Sequence, residues 1–164
     1  MPNEVITENE QNKITERDRY YMSLAEITSS RSKDPRTKVG ACLVKNKKVL
    51  SLGYNGAPRR IPDSKVPYDS RDTSLPLKEQ KYGYIVHSEI NSILNYSGSL
   101  SDLEGATIYV TVFPCCDCAK ALIQVGISKV YYLNEYTGNQ ESCDMSKYLF
   151  DLAGVLYIKM GKPD

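Results

Sequence analysis

The sequence predicts an α/β sandwich with a partly parallel sheet. After an opening pair of strands, apolar runs rich in β-branched and aromatic residues alternate with stretches of helical periodicity, which is the pattern of strands joined by crossover helices. A chain of 164 residues is most simply one domain and can bury a core without disulfides. We therefore predict one domain over residues 15–164, preceded by a flexible N-terminal tail over residues 1–14, which is largely polar and acidic.

The first half of the domain is predicted to contain a helix and a hairpin. Apolar residues at helical spacing indicate an amphipathic helix over residues 15–30. Asp34-Pro35 ends the helix and starts a turn. Two strands over residues 39–44 and 47–54 follow, and Lys45-Asn46 between them suits a tight turn.

A long loop separates this hairpin from the later elements. Proline and charged residues dominate residues 55–82, and loops of that length inside a domain are usually functional or mobile. The remaining elements are a helix from His87 to near Gly98, a strand over 106–113, a helix over 115–125 with Gly126 as its C-terminal signal, a strand over 128–133, a helix over 144–153 closed by Gly154, and a strand over 155–160.

Composition limits the classes of partner and compartment. The formal net charge of +1 argues against a protein that grips nucleic acid through phosphates, so we expect a small-molecule partner. Five cysteines, an odd number, and the lack of an apolar N-terminal segment argue against a secreted disulfide framework. No apolar run approaches the length of a membrane span. We expect a cytoplasmic protein with reduced thiols.

The chemistry of the chain centres on two short motifs. Cys115 and Cys118 are three residues apart at the start of a predicted helix, so they face the same way, whereas Cys116 does not pair with Cys118. His87, the only histidine, opens another helix two residues before Glu89. Alone, a histidine is more often a satisfied structural residue, and Cys-x-x-Cys also suits a redox pair or two buried small side chains. Together, the motifs form the zinc deaminase signature.

The residue types suit a catalytic metal site. One imidazole and two thiolates fill three positions of a tetrahedral zinc site and leave the fourth open. Two thiolates neutralise the formal charge of the ion, so a separate base is needed. Glu89 can serve as that base, moving a proton from water to a ring nitrogen and then to a leaving amine. The predicted reaction is hydrolytic deamination of an amino-substituted heterocycle.

Further segments carry a resemblance to a known family. They are residues 31–35 (Arg-Ser-Lys-Asp-Pro), 39–42 (Val-Gly-Ala-Cys), 53–58 (Gly-Tyr-Asn-Gly-Ala-Pro), 118–120 (Cys-Ala-Lys) and 153–155 (Ala-Gly-Val). With the two metal motifs, the chain resembles the deoxycytidylate (dCMP) deaminases of the cytidine deaminase-like fold over roughly residues 20–159. The resemblance implies a three-layer α/β/α sandwich with a five-stranded mixed sheet, usually assembled as a homo-hexamer.

The resemblance also implies roles for individual residues. His87, Cys115 and Cys118 would hold one catalytic Zn²⁺, and Glu89 would shuttle the proton. Three further residues would bind dCMP: Arg31 at the 5′-phosphate, Asn55 at the sugar or phosphate, and Tyr136 stacked on the pyrimidine. The product dUMP would supply thymidylate synthesis.

Many members of this family are activated by dCTP and inhibited by dTTP, with Mg²⁺ accompanying the triphosphate. The resemblance places these effectors near Tyr54, Gly56 and Arg59 at a subunit interface. The paired glycines of this segment would let its backbone approach a ligand closely, and the arginine can grip a phosphate through two hydrogen bonds.

Several simpler interpretations remain open from the sequence. Arg31 and its basic neighbours are also typical of a solvated turn. Asn55 also suits a turn position, and Tyr136 also suits a role in packing. Ser88 stands where alanine is commoner between the histidine and the glutamate, a change expected to be harmless. Cys42, Cys116 and Cys143 are interpreted as small core or surface residues. A tRNA adenosine deaminase and a catalytically silent nucleotide sensor with structural zinc are the competing functions.

Overall fold

The computed structural model describes residues 13–161, so residues 1–12 of the predicted tail lie outside them. Within that range the chain forms one mixed sheet of five strands in the order β2-β1-β3-β4-β5. The strands are β1 (Gly40–Lys45), β2 (Lys48–Tyr54), β3 (Thr107–Val112), β4 (Lys129–Asn134) and β5 (Leu156–Lys159). β1 is antiparallel to both β2 and β3, whereas β3, β4 and β5 are mutually parallel. The predicted five-stranded mixed sheet is confirmed.

Helices cover both faces of this sheet. They are α1 (Glu16–Ser29), α2 (Ser88–Asn95), α3 (Cys116–Gln124) and α4 (Gln140–Ala153). Parallel neighbours in a sheet need crossover connections, and α3 and α4 provide them from β3 to β4 and from β4 to β5. One buried core joins α2, α3 and α4 to the sheet, and a second joins α1 to the opposite face. The predicted three layers are therefore present.

α1 is fixed to the sheet by one buried carboxylate. Asp18 forms a capping box with Thr15 at the start of the helix. The second carboxylate oxygen of Asp18 accepts a hydrogen bond of 2.6 Å from the hydroxyl of Tyr109 in β3. The Tyr109 ring stacks on Tyr131 of β4 with centroids 4.8 Å apart. α1 thereby holds a defined position, and the basic segment that follows it starts from a fixed point.

Two motif glycines let helices touch the sheet backbone. A Cβ at Gly40 would lie 1.9 Å from the carbonyl oxygen of Ala25 in α1, and a Cβ at Gly53 would lie 2.3 Å from the amide nitrogen of Ser92 in α2. Neither position can hold a side chain without moving a helix. For Gly53 the expected reason, close approach to a ligand, was wrong, because α2 occupies that space.

Three boundaries differ from the predictions. The hairpin turn is Asn46-Lys47, one residue later than predicted, and both residues have positive φ (51° and 61°), as a two-residue type I′ turn requires. α4 begins at Gln140, not at residue 144, because the side chain of Asn139 caps it by accepting a hydrogen bond from the amide of Ser142. α2 ends at Asn95, three residues before Gly98, and the remaining helix and strand ends lie within about one residue of their predicted positions.

The long loop is present as predicted and contains short 3₁₀ turns at Asp63–Lys65, Leu77–Glu79 and Lys81–Gly83. Gly126 and Gly154 have positive φ just after α3 and α4, so both predicted C-terminal signals are confirmed. Among the described residues, no helix is both long and apolar enough to cross a membrane.

Candidate active site

The site is built where the first turns of α2 and α3 meet. His87 is the N-cap residue of α2, Cys115 is the N-cap residue of α3, and Cys118 lies in the first turn of α3. The Nδ1 atom of His87 lies 3.4 Å from Sγ of Cys115 and 3.3 Å from Sγ of Cys118. All three potential ligand atoms lie within 4.8 Å of one another. The structure thus brings together the three residues predicted to bind metal.

These distances fit a tetrahedral zinc ion. Zn–S bonds of about 2.3 Å and Zn–N bonds of about 2.0–2.1 Å place the nitrogen and sulfur atoms roughly 3.5 Å apart at a tetrahedral angle. The observed separations of 3.3 and 3.4 Å are close to that value. Exposure falls from His87 through Cys115 to the buried Cys118, so the cluster opens to solvent on the histidine side.

Hydrogen bonds among the three side chains shift their pKa values. The hydrogen bond from the Cys118 thiol, assisted by His87, lowers the pKa of Cys115 to about 4. The same bond, together with burial, raises the pKa of Cys118. The hydrogen bond to Cys115 raises the pKa of His87 to about 9. The group therefore holds protons that a divalent metal replaces on binding, which is the usual coupling of metal and proton.

Glu89 lies beside the cluster as predicted. It is one of the first residues of α2 and is only 4% exposed. Burial raises the pKa of its carboxyl, although the charge of His87 opposes the shift. The Glu89 carboxyl and the Cys118 thiol are close enough to shift each other's pKa. A carboxyl with a raised pKa next to a metal site is suited to taking up and releasing protons.

α4 holds the turn that carries the cysteines. The hydroxyl of Ser142 accepts a hydrogen bond of 2.9 Å from the amide of Cys116. The hydroxyl of Ser146 donates one of 2.8 Å to the carbonyl of Pro114. The sequence does not single out either serine, because the predicted helix, residues 144–153, contains Ser146 but begins after Ser142. The Asn139 cap was the signal that would have placed both serines one turn apart on the same helix face.

Comparison with known proteins places the chain in a family. Residues 15–134 match the family described as the cytidine and deoxycytidylate deaminase zinc-binding region. The chain belongs to this family. It is a deaminase, a hydrolytic enzyme, and the family predicted from its motifs is confirmed.

Individual relatives support the same assignment. The deaminase is 37% identical to human deoxycytidylate deaminase over 141 residues, which are 85% of this chain and 77% of the relative. It is 41% identical over 145 residues to the probable deoxycytidylate deaminase of Drosophila melanogaster, covering 85% of this chain and 70% of the relative. The crystal structure of dCMP deaminase from cyanophage S-TIM5 in complex with dCMP and dUMP is similar with a TM-score of 0.69 and 31% identity, covering 90% of this chain and 99% of that one.

The residues predicted to bind substrate occupy different environments in this deaminase. Tyr136 is partly buried. Burial, and to a smaller extent the charge of Cys115, raises the pKa of its phenol, so Tyr136 lies near the metal cluster.

Asn55 is 5% exposed. Its side chain accepts a hydrogen bond from the amide of Val39 and donates one to the carbonyl of Thr37, both 2.8 Å long. Arg31 is exposed just after α1. The contacts of these three residues with substrate remain predictions.

The basic segment around Arg31 is largely engaged in contacts within the protein. Lys33 forms an ion pair of 2.5 Å with Asp63, and Arg36 approaches Asp69 at 3.9 Å. Lys38 donates a hydrogen bond to the carbonyl of Ser32. Within residues 13–161, Arg31 has no ion-pair partner. Of the four cations in this segment, Arg31 is therefore the best placed to accept a phosphate.

The residues predicted to bind effectors follow β2. Tyr54 and Gly56 are partly buried and Arg59 is exposed. Gly56 pairs with Val86 through two backbone hydrogen bonds of 3.0 and 2.8 Å. Val86 directly precedes the metal ligand His87, so the predicted effector segment is joined to the chain entering the metal site.

One buried ion pair carries no signal in the sequence. Nζ of Lys81 lies 2.8 Å from Oδ2 of Asp34, and the two side chains are 7% and 1% exposed. Asp34 was interpreted only as a turn residue before Pro35. Lys81 lies in a loop with two exposed lysines, Lys65 and Lys78, so no signal in the sequence distinguishes it.

Proposed function

We propose that the protein hydrolyses dCMP to dUMP and ammonia. The observation that carries the proposal is the buried Glu89 carboxyl beside the His87, Cys115 and Cys118 cluster. Support for dCMP as the substrate comes from relatives named deoxycytidylate deaminase and from the similar structure in complex with dCMP and dUMP.

The residues of the chain account for the proton transfers. His87, Cys115 and Cys118 would hold a zinc ion, which would supply the Lewis acidity that makes water nucleophilic near neutral pH. Glu89 accepts a proton from the attacking water and delivers it to ring nitrogen N3. The C–O bond forms at C4, and the C4–N bond then breaks. Glu89 passes the second water proton to the departing amine, so the products are the 4-keto pyrimidine and ammonia.

Three residues complete the proposed substrate site. Arg31 binds the 5′-phosphate, Asn55 contacts the sugar or phosphate, and Tyr136 stacks on the pyrimidine. The position of Tyr136 near Cys115 supports its role, because an aromatic ring there can lie against a base undergoing reaction. The free guanidinium of Arg31 within the described residues supports a charge-assisted bond to phosphate.

Regulation and assembly are also part of the proposal. The product dUMP supplies thymidylate synthesis, and the enzyme acts as a homo-hexamer. With Mg²⁺, dCTP activates and dTTP inhibits at Tyr54, Gly56 and Arg59. Support comes from the Gly56–Val86 bridge, through which a shift of this segment reaches His87. A reducing compartment such as the cytoplasm suits two thiolate ligands.

One assay tests the function. The purified protein is incubated with dCMP, deoxycytidine, dCTP or a tRNA anticodon stem, and ammonia release is followed. Release from dCMP in preference to the other three is expected. Release from the tRNA stem alone would indicate a tRNA deaminase. No release from any substrate by zinc-loaded protein would indicate a silent subunit and would end the proposal.

A further inference from the structure

Three separate segments meet near the candidate substrate site. They are the basic segment (residues 31–39), the end of β2 and the residues after it (54–56), and the histidine approach (residues 77–87). The hydroxyl of Ser32 donates a hydrogen bond of 2.8 Å to the carbonyl of Asn55. With the two side-chain bonds of Asn55 to the basic segment, these contacts join the first two segments.

The Asp34–Lys81 pair joins the basic segment to the third. Oδ1 of Asp34 accepts hydrogen bonds from the amides of Arg36 at 2.9 Å and Thr37 at 3.1 Å. Oδ2 of Asp34 accepts the bond of 2.8 Å from Lys81. Burial raises the pKa of Asp34, but these hydrogen bonds outweigh it, and the net pKa lies below its usual range. Asp34 is thus an ionised carboxylate whose three hydrogen bonds fix its orientation.

The backbone of Lys81 leads directly to the metal ligand. Its carbonyl accepts hydrogen bonds from the amides of Tyr84 at 2.9 Å and Ile85 at 3.1 Å, and its own amide donates to Ser70. Ile85 is two residues before His87. The Lys81 backbone is therefore hydrogen-bonded to the chain just before it enters α2.

The energetics of the pair favour a positional role over simple stabilisation. Burying two charges costs several kcal/mol, so a buried ion pair is often no more stabilising than two apolar side chains. The basic segment forms two other ion pairs with the long loop, Lys33–Asp63 and Arg36–Asp69, but their side chains are 42–83% exposed. Exposed pairs contribute little and are geometrically loose. Of the three, only the buried pair has a fixed geometry.

We propose that Asp34 and Lys81 are positioning residues that set the basic segment, with Arg31, at the distance from the metal site that dCMP spans. The inference rests on the proposed function, because it assigns the pair to binding of the substrate phosphate. The pair touches neither the metal ligands nor Glu89, so its loss affects KM for dCMP more than kcat.

The test compares single and double replacements. Lys81→Met and Asp34→Asn each leave a buried group unpaired, so both variants are expected to lose thermal stability. The double variant has no uncompensated charge and is expected to regain much of that stability. In the double variant we expect KM for dCMP to stay raised by about 10-fold or more, the scale of losing one hydrogen bond to the charged phosphate, with kcat and zinc content close to those of the parent. Lys78→Met, the same change at an exposed lysine of the same loop, is the matched control and should leave KM unchanged.

Each outcome is decisive. A double variant that regains both stability and the parental KM shows that the pair is only structural. A fall in kcat without a change in KM, or a loss of zinc, would also overturn the proposal. If neither single variant folds, the double variant still carries the comparison. A parent enzyme inactive on dCMP would reject the proposed function instead, and the parent is measured in the same experiment.

Discussion

His87, Cys115 and Cys118 lie on the first turns of two helices that pack on the sheet, whereas residues 31–39 and 55–86 form loops on which substrate binding is proposed. In the metal half, regular secondary structure places each side chain. In the substrate half, buried hydrogen bonds and the Asp34–Lys81 pair place the backbone itself. This difference indicates that a short sequence motif is enough to specify the metal site. The proposed substrate site on the loops depends instead on contacts between residues that are remote in sequence.

The strongest test of the metal half removes a ligand. His87→Ala and Cys118→Ala are expected to lose bound zinc and measurable turnover, and to unfold at lower temperature, because the ion ties two helix starts together. Metal analysis of the purified variants, with thermal unfolding, gives the answer. Cys116→Ala, which removes a thiol outside the cluster, should retain zinc. Stoichiometric zinc in both ligand variants would refute the assignment.

Replacing the base separates metal binding from proton transfer. Glu89→Gln keeps the shape of the side chain and should bind zinc and dCMP, but kcat should fall by at least ~10²-fold, the usual contribution of general acid–base catalysis. Steady-state kinetics with a zinc assay on the same sample measures both. Glu26→Gln, the same change at an exposed residue of α1, should behave as the parent. Turnover near normal in Glu89→Gln would place the base elsewhere.

A smaller effect is expected in the substrate half. Arg31→Ala should weaken dCMP binding by about 1.5–3 kcal/mol, the range for a hydrogen bond to a charged group. Deoxycytidine, which lacks the phosphate, should be little affected. KM values for both substrates, with Arg17→Ala as the exposed control on α1, test this. Equal losses on the two substrates would mean that the fold, rather than a phosphate contact, is damaged.

The smallest effect concerns regulation. The parent is expected to show sigmoidal dCMP kinetics that dCTP makes hyperbolic and dTTP suppresses, with coupling of about 1–3 kcal/mol. Arg59→Ala should reduce the response to both triphosphates while leaving kcat nearly unchanged. The matched control is Arg71→Ala, an exposed arginine of the same loop. Hyperbolic kinetics that neither triphosphate changes, with Mg²⁺ present, would refute the regulatory proposal but not the deaminase activity.

The contrast between the halves also explains what the sequence could predict. A buried strand, a proline and a helix start locate Cys115, and helical periodicity locates His87 and Glu89, so the metal cluster followed from local patterns. The start of α4 was misplaced because the Asn139 cap depends on one side-chain hydrogen bond. The Asp34–Lys81 pair joins residues 47 apart, and no local pattern encodes such a contact.

The hairpin turn bears on engineering of the enzyme. Lys47 has a side chain but adopts φ of 61°, a left-handed conformation that costs a residue other than glycine roughly 1–2 kcal/mol. The Lys47→Gly replacement would remove this conformational cost but would increase the entropy of the unfolded chain. The net increase in the free energy of unfolding is expected to be up to about 1 kcal/mol. Thermal unfolding of Lys47→Gly measures the gain, and an unchanged or lower midpoint would contradict it. The turn precedes the first residue of β2, whereas Tyr54 is the last residue of that strand. Thermostability can therefore be raised at the turn without the usual loss of activity.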